Sequence, residues 1–350
     1  MASVSRGLRW AARFRVTAAL CLPGVVAGTG AYISNLVYVK TVGAQQAAKP
    51  VATLSEGLAP GDGVNAVAFS ADGGMLAAAY ADGTLRLFNP AEAQLVVTLP
   101  TDGVAEYGVA FSPDGQLLAA GSGDGNLHLW NLATDKEKAY QSDGGSVNGV
   151  AFSPDGSLLA TADTDGDVRL WDPATGGSAL QPLFKGTTAA YGLAFSGDGK
   201  LLAAGFADGK VRLWNPASRL LVTTLAAGTA PVYAVAFSPR GNLLAAADGD
   251  GTVRLWHLGT FQPDGGPLSA DTPRVYGVAF SSDGKFLASA DDNGTVRLWN
   301  PVTRQPVGSP LQATIGYAFK VAFNPAGTLM ATADGDGTVR LWNVRLLAPS

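Results

Sequence analysis

Two aspartates separated by one glycine stand near the carboxyl end of the chain, in the stretch A-D-G-D-G-T-V-R-L-W-N at 333–343. Paired carboxylates could bind calcium, and a helix–loop–helix calcium loop needs oxygen ligands at positions 1, 3 and 5, glycine at 6 and glutamate at 12. Counting from Asp334, position 5 is Thr338 but position 12 is Arg345, so the bidentate ligand is missing. We therefore interpret the stretch as a turn whose carboxylates are exposed to solvent and neutralised by arginine.

The same stretch is one copy of an internal repeat. A-D-G-D-G-T-V-R-L-W recurs at 247–256, and each copy ends on an aromatic residue that follows a phenylalanine by 19 residues. Successive copies are 41 to 43 residues apart, which indicates a rigid unit joined by adjustable loops. The two series are Phe69, Phe111, Phe152, Phe195, Phe237, Phe280 and Phe323, and Phe88, Trp130, Trp171, Trp214, Trp256, Trp299 and Trp342.

Each unit has the pattern of short strands. The runs V-x-x-V-A-F, L-L-A-A and T-V-R-L-W are rich in Val, Leu and aromatic residues and are bounded by Gly or Asp-Gly. A fourth, outer strand is predicted at 94–99, 220–225 and 308–312, and its pattern is faint after Trp130 and Trp256. Seven such units predict an all-β fold, a seven-bladed β-propeller of four-stranded antiparallel blades. Alanine precedes the repeat phenylalanine in every copy, and we expect it where the inner strands crowd around the axis.

The repeat V-A-F-S-P-D-G-x-L-L-A…D-G-T-V-R-L-W-N resembles the WD-repeat β-propeller family over roughly residues 50–343. This resemblance implies a ring that serves as a platform for proteins or peptides. The family's Gly-His element is absent, since neither His128 nor His257 stands at that position. The family carries serine or threonine two residues before the turn aspartate of each repeat. In this chain only Ser122 matches that pattern. The residues of the family's usual blade-stiffening network are therefore largely missing.

A candidate binding face lies four residues before the repeat phenylalanine. By resemblance to the family, this position lies beside the channel opening, and tyrosine is favoured at interfaces because it combines apolar area with a hydroxyl. The alternative is that these rings pack sideways between blades. The residues are Tyr107, Tyr191, Tyr233, Tyr276 and Phe319, with Asn65 and Asn148 in the other two copies.

The sequence carries no pattern for catalysis. It has two histidines and no Gly-x-Ser-x-Gly elbow, so no catalytic residue, cofactor or metal site is predicted. Lys320, where the other copies have Gly or Ala, is the one residue that could serve chemistry in the channel. We expect a non-catalytic, monomeric scaffold that binds a protein or peptide. The alternative is a propeller enzyme, or a protein that binds a small ligand or metal in the central channel.

Charge argues against nucleic acid as the main partner. The first 55 residues hold six basic residues and no acidic one, and the remainder holds 18 basic and 28 acidic residues. Nucleic acid and anionic membrane surfaces both require a basic face, which this composition does not favour.

The amino-terminal segment has the composition of a targeting sequence. Four arginines precede an uncharged run at 16–39, so residues 1–45 are predicted to be a signal peptide or membrane anchor. This would leave the propeller, residues 46–350, on the non-cytoplasmic side. The alternatives are an organelle-targeting peptide or a cytoplasmic tail. The single cysteine, Cys21, excludes an intrachain disulfide. Residues 51–54 resemble the predicted outer strands and are expected to complete the last blade.

Overall fold

The computed structural model describes residues 48–55, 63–134, 136–142, 144–175 and 181–347. The predicted signal peptide or anchor, including the apolar run at 16–39, lies outside these residues. In the part of the chain that is described, no helix has both the length and the apolar character needed to cross a membrane.

The chain folds as a seven-bladed β-propeller, which confirms the predicted fold class. Consecutive strands within each blade pair antiparallel, and a short 3₁₀ helix follows the last strand at Val344–Leu346. The strands are β1 (Ala52–Leu54), β2 (Val64–Phe69), β3 (Leu76–Tyr80), β4 (Thr84–Asn89), β5 (Gln94–Pro100), β6 (Glu106–Phe111), β7 (Leu117–Ser122), β8 (Asn126–Asn131), β9 (Lys136–Gln141), β10 (Val147–Phe152), β11 (Leu159–Asp163), β12 (Val168–Trp171), β13 (Ala190–Phe195), β14 (Leu202–Phe206), β15 (Lys210–Asn215), β16 (Leu220–Ala226), β17 (Val232–Phe237), β18 (Leu243–Asp248), β19 (Thr252–His257), β20 (Gln262–Pro263), β21 (Leu268–Ser269), β22 (Val275–Phe280), β23 (Leu287–Asp291), β24 (Thr295–Trp299), β25 (Pro306–Gln312), β26 (Ala318–Phe323), β27 (Leu329–Asp334) and β28 (Val339–Asn343).

The outer strands vary from blade to blade. After Trp130, where the sequence pattern of the outer strand is faint, β9 pairs with β8 along six residues. Its side chains are almost all exposed, so backbone hydrogen bonds hold a strand that hydrophobic alternation could not reveal. In blade 5 the outer strand is split into β20 and β21, and in blade 3 the described residues show a single bridge between Val168 and Phe184.

The hydrophobic core is divided into seven clusters, each of which joins two adjacent blades. Each cluster contains one of the seven repeat aromatics that end the third strand. Trp214, for example, is 1 % exposed and packs against Ala160, Ala162 and Leu170 of the preceding blade. The constant aromatic therefore holds neighbouring blades together, which explains why it recurs at a fixed place in the unit.

The inner strands approach one another closely at the residue three positions before the repeat phenylalanine, where four blades carry glycine. A Cβ atom added to Gly149 would lie 2.4 Å from the carbonyl oxygen of Tyr191 in the next blade, and one added to Gly192 would lie 2.7 Å from that of Tyr233. The repeat alanines instead pack against the clusters between blades, as Ala68 and Ala236 do. The crowding that we expected at the alanine thus lies two residues earlier, at the position where these four blades carry glycine.

The aspartate that ends the second strand is buried in four blades, which corrects the interpretation of the opening stretch as a turn with exposed carboxylates. Asp163, Asp248, Asp291 and Asp334 are all at most 2 % exposed, because each ends the second strand of its blade inside the sheet. The prediction that arginine neutralises the carboxylate was right in three blades. Arg340 Nη1, for example, donates to Asp334 at 2.6 Å while its Nη2 donates to Asp336 at 2.7 Å. The other two such arginines are Arg254 and Arg297.

In part of the ring, a hydrogen-bond network with fewer residues takes the place of the one that is usual in the family. Trp171 Nε1 donates to the Thr161 hydroxyl at 2.9 Å, and Trp299 Nε1 donates to the Ser289 hydroxyl at the same distance. In blade 7 the Thr332 hydroxyl also contacts Asp334 at 3.1 Å. A buried indole N–H thus finds a partner within its own blade, without the missing histidine.

The strand β1 is the outer strand of blade 7. It pairs antiparallel with β28, with Leu54 opposite Val339 and Ala52 opposite Leu341. Leu54 is 3 % exposed and belongs to the cluster that joins blades 7 and 1. Residues distant in sequence therefore close the ring through both hydrogen bonds and apolar contact.

Candidate functional site

The candidate binding residues all occupy the same irregular position in the inner strands. In every blade the pairing between the first two strands shifts immediately after the first residue of the inner strand. Tyr233, for example, is the extra residue between Val232, which faces Asp248, and Ala234, which faces Ala247. Such a bulge changes the direction of one side chain, so this residue leaves the normal alternation and lies at the channel mouth.

Four of the predicted rings form a continuous arc across blades 4 to 7. The centroids of Tyr191 and Tyr233 are 5.2 Å apart, and those of Tyr233 and Tyr276 are 5.1 Å apart. Phe319 continues the arc at 5.6 Å from Tyr276. The interplanar angles of 53° to 56° are favourable for aromatic pairs. All four rings are partly exposed, so the contacts between them leave apolar surface open to the channel mouth.

Tyr107 is separated from this aromatic arc. It lies in blade 2, is 37 % exposed, and stands between the two blades that carry asparagine at the bulge. Asn65 donates its side-chain amide to the carbonyl of Glu106 at 2.9 Å, and Asn148 donates to the carbonyl of Ala190 at the same distance. These amides connect neighbouring inner strands, so this side of the mouth is more polar than the arc.

Sequence reasoning missed Tyr317. It is 48 % exposed and stacks on Phe319 with centroids 5.5 Å apart and an interplanar angle of 25°. It also contacts Tyr276 edge-to-face at 6.1 Å. Tyr317 precedes the inner strand, at a position where six blades carry a small residue, proline or arginine. An aromatic residue at this place was the signal in the sequence.

The arc borders a cavity of about 360 Å³ at the mouth of the central channel. This volume is within the usual range of pockets for small ligands or single peptide side chains. Lys320 follows the arc's last ring, Phe319, and lines both this cavity and the one deeper in the channel. The cavity is lined by Asn65, Tyr107, Asn148, Tyr191, Tyr233, Tyr276, Phe319 and Lys320.

Lys320 gives the cavity its charge. No acidic side chain lines the cavity among the residues that the structure describes. The lysine is partly accessible from the channel, although protein surrounds it on every side, and the loss of hydration lowers its pKa to about 8. Burial also raises the pKa of the neighbouring Tyr233, and its contacts with Tyr191 and Tyr276 add to this effect. At neutral pH the cavity therefore combines one cation with a wall of aromatic rings.

Comparison with known families agrees with the seven blades. The chain matches the family model described as the IFT122 first beta-propeller over residues 63–343. It belongs to this family. A search among curated proteins gave no significant match. Propellers of the IFT122 type are typically not enzymes, and membership of the family is consistent with a role in protein interaction.

The channel mouth of this IFT122-type propeller has the chemistry of a binding site. Aromatic rings supply apolar area with little conformational entropy to lose, and Lys320 supplies one charge that can pair with an anionic group. The nearby guanidinium of Arg274 lies 3.5 Å from the hydroxyl of Tyr276 and extends the positive character to the rim. A ligand with an apolar body and a carboxylate fits this arrangement.

Proposed function

We propose that the protein is a non-catalytic scaffold that binds a peptide segment of a partner protein at the channel mouth. The observation that carries this proposal is the aromatic arc of Tyr191, Tyr233, Tyr276 and Phe319 beside Lys320. Partly exposed aromatic side chains grouped at one opening are typical of the centre of protein interfaces.

The cavity also suggests which peptides would bind. A single cation without an acidic neighbour favours a segment that presents a carboxylate, either a side chain or a carboxyl terminus. The arc would contact the apolar residues beside that carboxylate. Asn65 and Asn148 each use a side-chain N–H on the protein backbone, which leaves their carbonyl oxygens to accept hydrogen bonds from the peptide.

The experiment is selection of peptides from a random display library on the purified chain, followed by affinity measurements with the selected peptides. Tyr233→Ala and Tyr276→Ala should each weaken binding by about 10-fold or more, because aromatic anchors often contribute 1 to 2 kcal/mol or more at an interface. Both variants should keep nearly the stability of the native protein. Leu221→Ala is the matched control, because Leu221 is exposed and lies on β16, the strand of its blade that is farthest from the channel.

Two results would count against this proposal. Strong destabilisation with unchanged peptide affinity would assign the rings to packing between blades. Retained affinity in both tyrosine variants, with loss in Lys320→Met and competition by a small carboxylate such as benzoate, would favour the alternative of a small-ligand site in the channel. That alternative is supported by the same lysine, whose ammonium group can pair with the carboxylate of a small ligand in the cavity.

A further inference from the structure

Blade 2 departs from the repeat at two positions that lie next to each other in space. Glu106 begins the inner strand β6, where the other six blades have valine or alanine. His128 lies in β8, where the other six blades have arginine. Nε2 of His128 is 3.9 Å from Oε1 of Glu106. Two changes of chemical type in one blade have thus produced a pair of potential metal ligands.

Both side chains are buried and lack partners for the atoms that face each other. Glu106 is 0 % exposed and His128 is 3 % exposed. Among the described residues, neither carboxylate oxygen of Glu106 nor Nε2 of His128 has a hydrogen-bond partner. The hydroxyl of Thr101 is close by, but it donates to the carbonyl of Gly83. Buried polar atoms are normally satisfied, so these three atoms point to a ligand.

The histidine is oriented to offer a lone pair. Its Nδ1 lies 2.5 Å from Oε1 of Glu137 on β9, and a carboxylate partner places the ring proton on Nδ1. The ring also stacks on Trp130 with centroids 5.4 Å apart. Nε2 is therefore unprotonated in the neutral ring and directed at Glu106. A carboxylate that fixes a histidine in this way is the usual support of a metal ligand.

The surroundings have an excess of negative charge. The carboxylates of Asp102, Asp124 and Glu137 lie close enough to Glu106 to act on it electrostatically. In three other blades an arginine at the position of His128 pairs with a buried aspartate that ends the second strand, where blade 2 has Ser122. Among the described residues no lysine or arginine forms an ion pair with Glu106. A cation is thus missing where the repeat normally provides one.

We propose that Glu106, His128 and Asp102 bind one divalent transition-metal ion such as Zn²⁺. One donor atom from each residue lies within 4.8 Å of the other two. A tetrahedral ion with donors at about 2.0–2.2 Å brings them to about 3.4 Å apart, so side-chain movements of about 1 Å are enough. Asp102 is exposed and can make most of this movement. Imidazole with carboxylates suits Zn²⁺, whereas Mg²⁺ and Ca²⁺ prefer oxygen ligands alone.

The bound ion would connect three parts of blade 2: the loop that enters it, its inner strand and its third strand. Glu106 directly precedes Tyr107 at the channel mouth, and its carbonyl accepts the bond from Asn65. The ion would therefore stiffen the polar side of the mouth. Glu137, which contacts His128 and not the ion, would act as a positioning residue.

Isothermal titration of the chelator-treated full chain with Zn²⁺ tests the site. The native protein should bind one ion per chain and show a higher melting temperature with Zn²⁺ than without it, whereas Mg²⁺ should have no effect. Glu106→Val and His128→Arg introduce the residues of the other blades, so both should fold, and both should lose Zn²⁺ binding and the shift in melting temperature. Glu137→Gln should weaken binding by about 10- to 100-fold.

His257→Ala is the matched control, since this second histidine is exposed and faces one carboxylate, Asp264, at 3.1 Å. It should bind Zn²⁺ like the native protein. Absence of binding by the native protein would overturn the proposal and leave a proton on Glu106 as the missing charge. Binding that persists in Glu106→Val, or that is lost in His257→Ala, would also overturn it.

Discussion

At the scale of single residues, the channel mouth depends on the protonation of Lys320. The amine is surrounded by protein, and the loss of hydration lowers its pKa to about 8 from an ordinary value near 10.5. Because the folded protein releases this proton more readily than the unfolded chain, the charged lysine opposes folding below pH 8. The unfolded state binds more protons between about pH 8 and 10.5, so this contribution to stability rises with pH in that window.

We predict that Lys320→Met stabilises the protein at pH 7 by about 1–2 kcal/mol, since the variant buries no charge there. The gain should disappear as the pH rises through 8 towards 10, where the native lysine becomes neutral as well. Urea unfolding of both proteins at several pH values measures this difference in the free energy of unfolding. Lys200→Met is the control: the native side chain is 79 % exposed, so the free energy of unfolding should not change. A constant difference across this pH range would contradict the assigned cause.

At the scale of the structural element, the turn between the second and third strands holds two aspartates whose pKa values shift in opposite directions. In blade 7, burial raises the pKa of Asp334 to about 6, although Arg340 opposes this shift. Burial also acts on Asp336, but hydrogen bonds from Arg340 and Thr338 outweigh it and lower the pKa to about 2. The guanidinium therefore holds one buried and one half-exposed carboxylate together and supplies a positive charge between them.

Removal of this guanidinium should be costly. We predict that Arg340→Met destabilises the protein at pH 7 by about 3–5 kcal/mol, because the variant leaves the buried Asp334 carboxylate unpaired. A folded-state pKa above the unfolded value means that stability is gained on acidification, so the loss should shrink as the pH falls from 7 towards 4. Chemical denaturation at both pH values measures this. Arg345→Met, at an exposed position, is the control, and an equal loss in both variants would contradict the prediction.

At the scale of the whole molecule, stability depends on closing the ring. The first and last described strands, β1 and β28, pair with each other, and Leu54 joins the apolar cluster between blades 7 and 1. In the other blades, neighbouring strands follow one another along the chain. In blade 7 the outer strand β1 comes from the opposite end of the sequence and is held to β28 by hydrogen bonds and packing alone, so this strand pair is the natural place for the ring to open.

We predict that Leu54→Ala lowers the free energy of unfolding by about 2–5 kcal/mol, the usual cost of a large-to-small change in a core. Val51→Ala, where the native side chain is 54 % exposed, should stay within about 0.5 kcal/mol. Deletion of residues 46–58 should likewise lower the melting temperature, and deletion of 1–44 should not. Equal melting temperatures for the two deletions would show that β1 does not close the ring.

Much of the fold follows from local patterns. The constant distance of 19 residues between Phe69 and Phe88, repeated seven times, predicts a repeated blade, because the side-chain alternation of strands can be read in a single segment. The third strands were recognisable for the same reason. The outer strand β9 could not be recognised from the sequence, because its mostly exposed residues from Lys136 onward carry no hydrophobic alternation. Only its backbone pairing with β8 defines it as a strand.

The sequence by itself thus determined the number of blades, the position of the repeat aromatics and which residues are candidates for the binding face. The tertiary structure decided the rest. The bulge brings Tyr191, Tyr233, Tyr276 and Phe319 into contact and leaves Tyr107 apart. The proximity of Glu106 and His128 was likewise not readable, because they are 22 residues apart and on different strands. Periodicity records which face of a strand is apolar, but the approach of side chains across strands and blades depends on register, bulges and closure of the ring.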